Sequence, residues 1–183
     1  MQKFSPSEIT RDLDKIVLFF RRHRLSYMLI GAMAMCIWGR PRTTLDLDFL
    51  ISVDDKGLEK IKNWSAQEGL RIDDDWLDQN PLLAKTHLRF YFDQVMVDLL
   101  TPRDAHDRKA FLRKKRKRLG KKFYWFVSPE DFILQKLKVG RPRDFEDAVT
   151  VLERFRKELD MVYLKRWSRH LGIMNELNYI FTL

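Results

Sequence analysis

Apolar positions recur along this chain with two periods, and the change of period separates helices from strands. Ile9, Leu13, Ile16, Val17 and Phe20 fall at helical spacing. They follow Ser5-Pro6-Ser7-Glu8, where Ser5 can cap, Pro6 suits the first helical position and Glu8 completes a capping box. Leu25 to Ile30 reads as a buried strand, Gly31 to Trp38 as a short helix, Gly39 to Thr44 as a loop and Asp46 to Ile51 as a second strand. A helix is predicted over Asp54 to Leu70, with Leu58, Ile61 and Trp64 inward. Arg71 to Thr86 is polar and irregular. Leu88 to Phe92 and Val95 to Leu100 flank Asp93-Gln94 as a hairpin. A helix over Arg103 to Leu119 and a short strand over Phe123 to Val127 follow. Ser128-Pro129 then opens a helix to Val139, and Asp144 to Leu159 and Asp160 to Leu171 are two more, the second ending before Gly172.

Strands therefore concentrate between residues 25 and 127, and helices beyond. This predicts an α/β (α+β) fold: a core over residues 1–127 with a small mixed sheet, and a helical C-terminal region over 128–183 packed on it. The length of 183 residues suits one such core, and 45% apolar residues exclude a disordered chain. No apolar run approaches the length of a membrane span and no signal-peptide core opens the chain. Cys36 is the only cysteine, so no intrachain disulfide can form; set among Met35, Ile37 and Trp38 it reads as a buried thiol. Together these point to a soluble cytoplasmic protein. The net charge of +9 favours an anionic partner.

The chemistry concentrates in Asp46-Leu47-Asp48. A strand alternates its faces, so Asp46 and Asp48 share one face while Leu45, Leu47 and Phe49 share the other. Two neighbouring carboxylates oppose each other's ionisation, and a bound cation removes that cost. The flanking apolar residues argue for a central strand and a metal site rather than a solvated edge pair. Asp98, inside Val95-Met-Val-Asp-Leu-Leu100, is a lone carboxylate in a second apolar strand and becomes the third ligand once the pair is recognised. Three carboxylates on neighbouring strands can hold two Mg²⁺ ions for phosphoryl or nucleotidyl transfer. Upstream, Gly31 lies between a strand and a helix, where backbone amides can cradle a phosphate. Arg40, Arg42, Thr43 and Thr44 lie between that turn and Asp46, placed to contact a triphosphate or a nucleic-acid backbone.

Gly31-Ala32, then Gly39-Arg-Pro-Arg-Thr-Thr-Leu-Asp-Leu-Asp48, then Val97-Asp98, resembles the DNA polymerase β-like nucleotidyltransferase superfamily. Within it the pattern is similar to the minimal AbiEii/AbiGii-type enzymes of toxin–antitoxin and phage-defence systems. The resemblance runs from about Tyr27 to Leu152. It implies that Asp46, Asp48 and Asp98 are the catalytic, metal-holding residues. It implies that Gly31, Ala32, Arg42 and Thr44 serve the nucleotide, and that Lys136 and Arg141 match a later basic motif whose lysine meets the triphosphate. Asp144 and Asp147 match a final Asp-x-x-Asp, although the same two residues also make a good helix start. Many members carry Gly-Gly or Gly-Ser at the first motif; Ala32 offers no serine hydroxyl, so here the phosphate would rest on backbone amides.

Arg108 to Lys122 holds ten basic residues and no acidic one. Read as a helix, it offers Lys114, Lys115, Arg116, Lys117 and Arg118 to the phosphates of an RNA such as tRNA. Phe123 to Phe126 read as an aromatic strand in the core, with base stacking as the alternative. His23, His87, His106 and His170 show no metal spacing; His106 beside Asp104 and Asp107 reads as a surface cluster, and Asp73-Asp74-Asp75 as a solvated loop. The expected activity is transfer of a nucleoside monophosphate from an NTP to a hydroxyl of RNA or protein, with two Mg²⁺ ions, in a setting that can include a cognate toxin or antitoxin partner. The alternative is a catalytically weak or inactive member acting as an antitoxin or RNA-binding module. No helix-turn-helix signature supports a DNA-binding regulator.

Overall fold

The computed structural model describes residues 6–40 and 46–183. The expected Ser5 cap, Leu45, and the loop residues Arg42, Thr43 and Thr44 lie outside the described residues. The chain runs α1 (Pro6–Arg22), β1 (Tyr27–Leu29), α2 (Gly31–Trp38), β2 (Asp46–Ile51), α3 (Asp55–Gln67), β3 (Arg71–Ile72), α4 (Asp74–Gln79), β4 (His87–Phe92), β5 (Val95–Leu100), α5 (Ala105–Leu112), β6 (Lys115–Leu119), β7 (Lys122–Phe126), α6 (Pro129–Val139), α7 (Pro142–Phe155), α8 (Met161–His170) and α9 (Met174–Thr182). Among the described residues, seven strands form one sheet in the order β3-β4-β5-β2-β1-β7-β6. The sheet is mixed: β2 runs parallel to β5 and β1 to β7, and the other neighbours are antiparallel.

The strand that bears the carboxylate pair is the middle one. Leu47, Phe49 and Ile51 of β2 are fully buried. They meet α1, whose Leu13, Ile16 and Phe20 are equally enclosed; the Phe20 ring meets Phe49 edge-on at 5.0 Å. The predicted hairpin forms around Asp93-Gln94, with Phe92 opposite Val95. Asp93 stands at φ +50, a conformation that a short side chain hydrogen-bonding locally tolerates in place of glycine. Asp54 caps α3 by accepting from the Gly57 amide at 2.8 Å. No helix among the described residues is long and apolar enough to cross a membrane.

Four expectations need correction. The basic run is not one helix. α5 ends at Leu112, and Lys115–Leu119 is the edge strand β6, antiparallel to β7 through a two-residue turn, Gly120-Lys121. Gly120 takes the positive φ, +60°, that such a turn demands. Cations one helical turn apart would repel, whereas a strand sends successive ones to opposite faces. Second, the region from Arg71 to Thr86 is not wholly irregular: Asp73 caps α4, accepting from the Trp76 amide at 3.2 Å. Third, Cys36 is partly exposed rather than buried.

Fourth, His106 is not at the surface; it is 1% exposed. Its Nε2 lies 3.1 Å from Asp131 Oδ1, which also accepts from the Tyr163 hydroxyl at 2.6 Å. Asp131 Oδ2 accepts from Ser128 Oγ at 2.7 Å and Arg113 Nε at 3.3 Å. These donors hold the Asp131 carboxyl below the usual carboxylate range despite its burial. One buried carboxylate thus ties α5, α6 and α8 together, so the helical region is fastened to the element after β5.

Candidate active site

The parallel pairing of β2 and β5 sets the site. Asp46 stands opposite Met96, Asp48 opposite Asp98 and Leu50 opposite Leu100. Residues paired this way share a face, so Asp48 and Asp98 are neighbours and Asp46 is two positions along the same face. Asp48 feels this arrangement: its pKa is pushed up to about 6, first by burial, then by the charges of Asp98 and Asp46, with His87 and Lys136 opposing. The site is therefore short of positive charge.

Asp98 is held differently. Arg89, directly opposite on β4, grips it with two bonds, Nε to Oδ1 at 2.7 Å and Nη2 to Oδ2 at 2.9 Å. His87 Nε2 lies 3.0 Å from Oδ1. Trp76 covers this corner, with the Arg89 guanidinium 4.5 Å from its ring centre and the His87 ring against it. These partners outweigh burial and hold the Asp98 carboxyl below its ordinary pKa. The sequence reading missed Arg89 and His87. The signal was available: counting back from the Asp93-Gln94 turn puts Arg89 against Asp98.

Gly31 is required on two counts. It stands at φ +56, and a Cβ there would lie 1.9 Å from Asp48 Oδ2. The Asp48 carboxylate thus overlies the turn that starts α2, where the Ile30 amide also binds the Asp48 carbonyl at 3.0 Å. Ala32, one residue on, is buried rather than presented to the site.

Lys136 of α6 sits between two buried carboxylates, 2.8 Å from Asp144 Oδ1 and 2.7 Å from Asp147 Oδ2. Arg141 donates to Asp144 Oδ2 at 2.7 Å. Asp144 is therefore not the cap of α7; that position is Arg141, whose side chain makes no capping bond, and the Asp144 carboxylate serves the two cations. A cleft of about 320 Å³ opens here, with Gly31, Thr101, Arg103, Lys136, Arg141 and Asp144 on its wall. Of the expected nucleotide contacts, Gly31, Lys136, Arg141 and Asp144 line this one cavity, and Ala32 and Asp147 are not on its wall.

The donor set suits a hard divalent cation, because it is all carboxylate oxygen and starts with a charge deficit. The three carboxylates are nevertheless spread. Among the described residues, the group of three ligand-type side chains with atoms mutually within 4.8 Å is Asp104, His106 and Asp107. There the Lys138 ammonium already pairs with Asp104 and lies 3.7 Å from Asp107 Oδ1. Arg89 holds the Asp98 carboxylate from the β4 side.

The family model described as nucleotidyltransferase of unknown function (DUF6036) matches residues 7–179. A search of curated proteins finds no match. Among solved structures, the chain is similar to the lincosamide antibiotic adenylyltransferase LnuA with lincomycin bound (12% identity, TM-score 0.57, 82% of this chain and 98% of that one). It is similar to the antibiotic-resistance factor ANT(2'')-Ia (11% identity, TM-score 0.63, 96% and 99% covered). A putative nucleotidyltransferase from Thermotoga maritima, TM1012, is similar at 15% identity and TM-score 0.53, covering 86% of this chain and 98% of that one. At these identities the likeness concerns the fold, and the mixed sheet with its helical C-terminal part is the nucleotidyltransferase fold.

Proposed function

The chain belongs to the DUF6036 family of nucleotidyltransferases, and on that premise we propose that it moves a nucleoside monophosphate from an NTP to a hydroxyl of RNA, such as a tRNA, or of protein, releasing pyrophosphate. The observation that carries this reading is the register of Asp48 against Asp98, with Asp46 on the same face and the Lys136–Arg141 cleft alongside.

Asp46, Asp48 and Asp98 would hold two Mg²⁺ ions. Bound there, Mg²⁺ would neutralise the carboxylates and polarise the phosphate oxygens. The chain's own part is binding and alignment. Lys136 and Arg141 offer cationic donors to a triphosphate, and Asp144 and Asp147 keep the lysine ammonium aimed. Gly31 lines the cleft at the start of α2; in this reading its amide and that of Ala32 would meet phosphate oxygens beside the Asp48 carboxylate, and Arg42 and Thr44 would complete the phosphate contacts. Residues 1–127 form the catalytic core in this reading and 128–183 the helical region that supplies Lys136 and Arg141. The resemblance to AbiEii/AbiGii-type enzymes supports a cytoplasmic setting beside a cognate toxin or antitoxin.

The test is incubation with labelled NTPs, Mg²⁺ and total tRNA. Label on RNA that vanishes in Asp46→Asn/Asp48→Asn supports the proposal; equal labelling by that variant refutes it. A second reading, a fold kept without turnover in an antitoxin or RNA-binding module, is favoured by one observation: Arg89 occupies both oxygens of Asp98. It is the reading left if no NTP supports transfer.

A further inference from the structure

The β6–β7 hairpin turns the basic run into a surface of a different kind. Lys115, Arg116, Lys117, Arg118, Lys121 and Lys122 are all exposed. Of these, Lys122 pairs with Asp14 at 2.8 Å; the other five form no salt bridge with any described residue. Two large aromatic side chains stand among them in solvent, Phe123 at 49% and Trp125 at 39% exposure. Their neighbours Tyr124 and Phe126 are buried, so the sheet has taken one face of β7 for the core and left the other bare.

The register fixes what shares that bare face. Arg116 stands opposite Trp125 and Arg118 opposite Phe123. Cations and aromatic rings therefore alternate across two strands, and the Arg116 guanidinium lies 5.0 Å from the Phe123 ring centre. Beside the hairpin runs a groove of about 360 Å³ against α1. Val17, Leu18 and Phe123 give it apolar surface and Lys15, Arg21 and Arg116 give it positive charge, while the one carboxylate in its wall, Asp14, is taken up by Lys122 and the Tyr124 hydroxyl. Leu18 is itself 55% exposed.

A charged edge strand can serve only to stop sheets joining edge to edge. That purpose needs a few lysines and is poorly served by a bare tryptophan and phenylalanine. A phosphate-only surface, as for duplex, needs the charges and not the rings. Rings and guanidinium groups side by side match a strand whose bases are unpaired: phosphates to the cations, base faces to the rings.

We infer that the outer face of the β6–β7 hairpin, with the adjoining α1 groove, binds single-stranded RNA by stacking bases on Phe123 and Trp125 between phosphate contacts from Arg116 and Arg118. The inference rests on this surface and not on turnover, so binding can be read apart from catalysis.

The experiment uses the full chain and fluorescence anisotropy with a short unstructured RNA, its duplex and the matching single-stranded DNA, from low to physiological salt. The expected result is tighter binding of the single-stranded RNA than of the duplex. Phe123→Ala/Trp125→Ala, which keeps every charge, should lose about tenfold or more in affinity. Phe123→Tyr/Trp125→Tyr should restore most of it. Arg116→Gln/Arg118→Gln should flatten the salt dependence by roughly 0.7 per lost phosphate contact. Circular dichroism melting of each variant separates lost binding from lost fold. Asp46→Asn/Asp48→Asn should bind RNA like wild type, so a failure of the transfer assay and a failure here are distinguishable. Equal affinity for duplex, preference for DNA, or an aromatic double variant that binds like wild type would overturn the inference. So would a wild-type protein that binds no RNA, leaving edge protection as the hairpin's role.

Discussion

Asp48→Asn should make the metal-free protein more stable at neutral pH. The folded pKa of Asp48 is about 6 against an ordinary 3.8, a rise of about two units. Each unit is worth about 1.4 kcal/mol, so an ionised Asp48 costs the folded state up to about 3 kcal/mol. The sign follows from proton counting. Between pH 3.8 and about 6 the folded carboxyl holds a proton that the unfolded one has released, so stability falls as pH rises through that window. The substituted amide carries no charge and escapes this loss, though it also forgoes attraction to Lys136 and His87. We expect the two proteins to be equally stable below pH 4, and the variant to lead by about 2 kcal/mol above pH 6. Asp98, whose pKa is lowered, contributes with the opposite sign, and its share is lost on acidification in both proteins; because its charge acts on Asp48, neutralising Asp48 also relieves Asp98. Urea unfolding from pH 4 to 8 measures this, read as midpoint at constant slope. Added Mg²⁺ should then reverse the order, because a cation that binds only the folded wild type stabilises it by mass action. Parallel pH profiles, or equal Mg²⁺ stabilisation of both proteins, would refute the claim that these carboxylates form an electrostatically frustrated metal site.

Other perturbations test separate parts of the structure. Gly31→Ala forces a Cβ into Asp48 Oδ2 and an unfavourable φ, and should cost about 2 kcal/mol or more in denaturant melts. Adding Asp48→Ala should recover part of that loss, and strict additivity would show that the two do not touch. Lys136→Ala leaves the buried Asp147 without this cation and Asp144 with Arg141 alone, so a loss of about 2–4 kcal/mol in stability should accompany weaker NTP binding by calorimetry. Arg141→Ala removes a side chain that is 72% exposed, so it should weaken NTP binding with little change in melting; unchanged affinity would place the triphosphate elsewhere. Tyr163→Phe deletes a buried 2.6 Å bond to Asp131 and should cost about 1–3 kcal/mol; a neutral result would mean the network is satisfied without it.

The sequence alone determined the carboxylate strand, because period-two alternation of Asp46, Leu47, Asp48 and Phe49 permits one assignment of faces and its apolar flanks require a central place. It also determined α2, the hairpin around Asp93-Gln94 and the Ser128-capped helix, since each is specified by residues within a turn or two of one another. The tertiary structure decided what depends on partners distant in the chain. Nothing local to Asp98 reveals that β5 runs parallel to β2 in the register that sets it against Asp48; its pairing with Arg89, by contrast, follows from the hairpin. Nothing local to Asp144 chooses between capping α7 and holding Lys136; the packing of α6 against α7 makes that choice. The largest misreading, the basic run as a helix, has the same origin. Ten cations carry no apolar period of their own, so their conformation was set by β7, whose alternating buried and exposed aromatic residues supplied the pattern that β6 lacks.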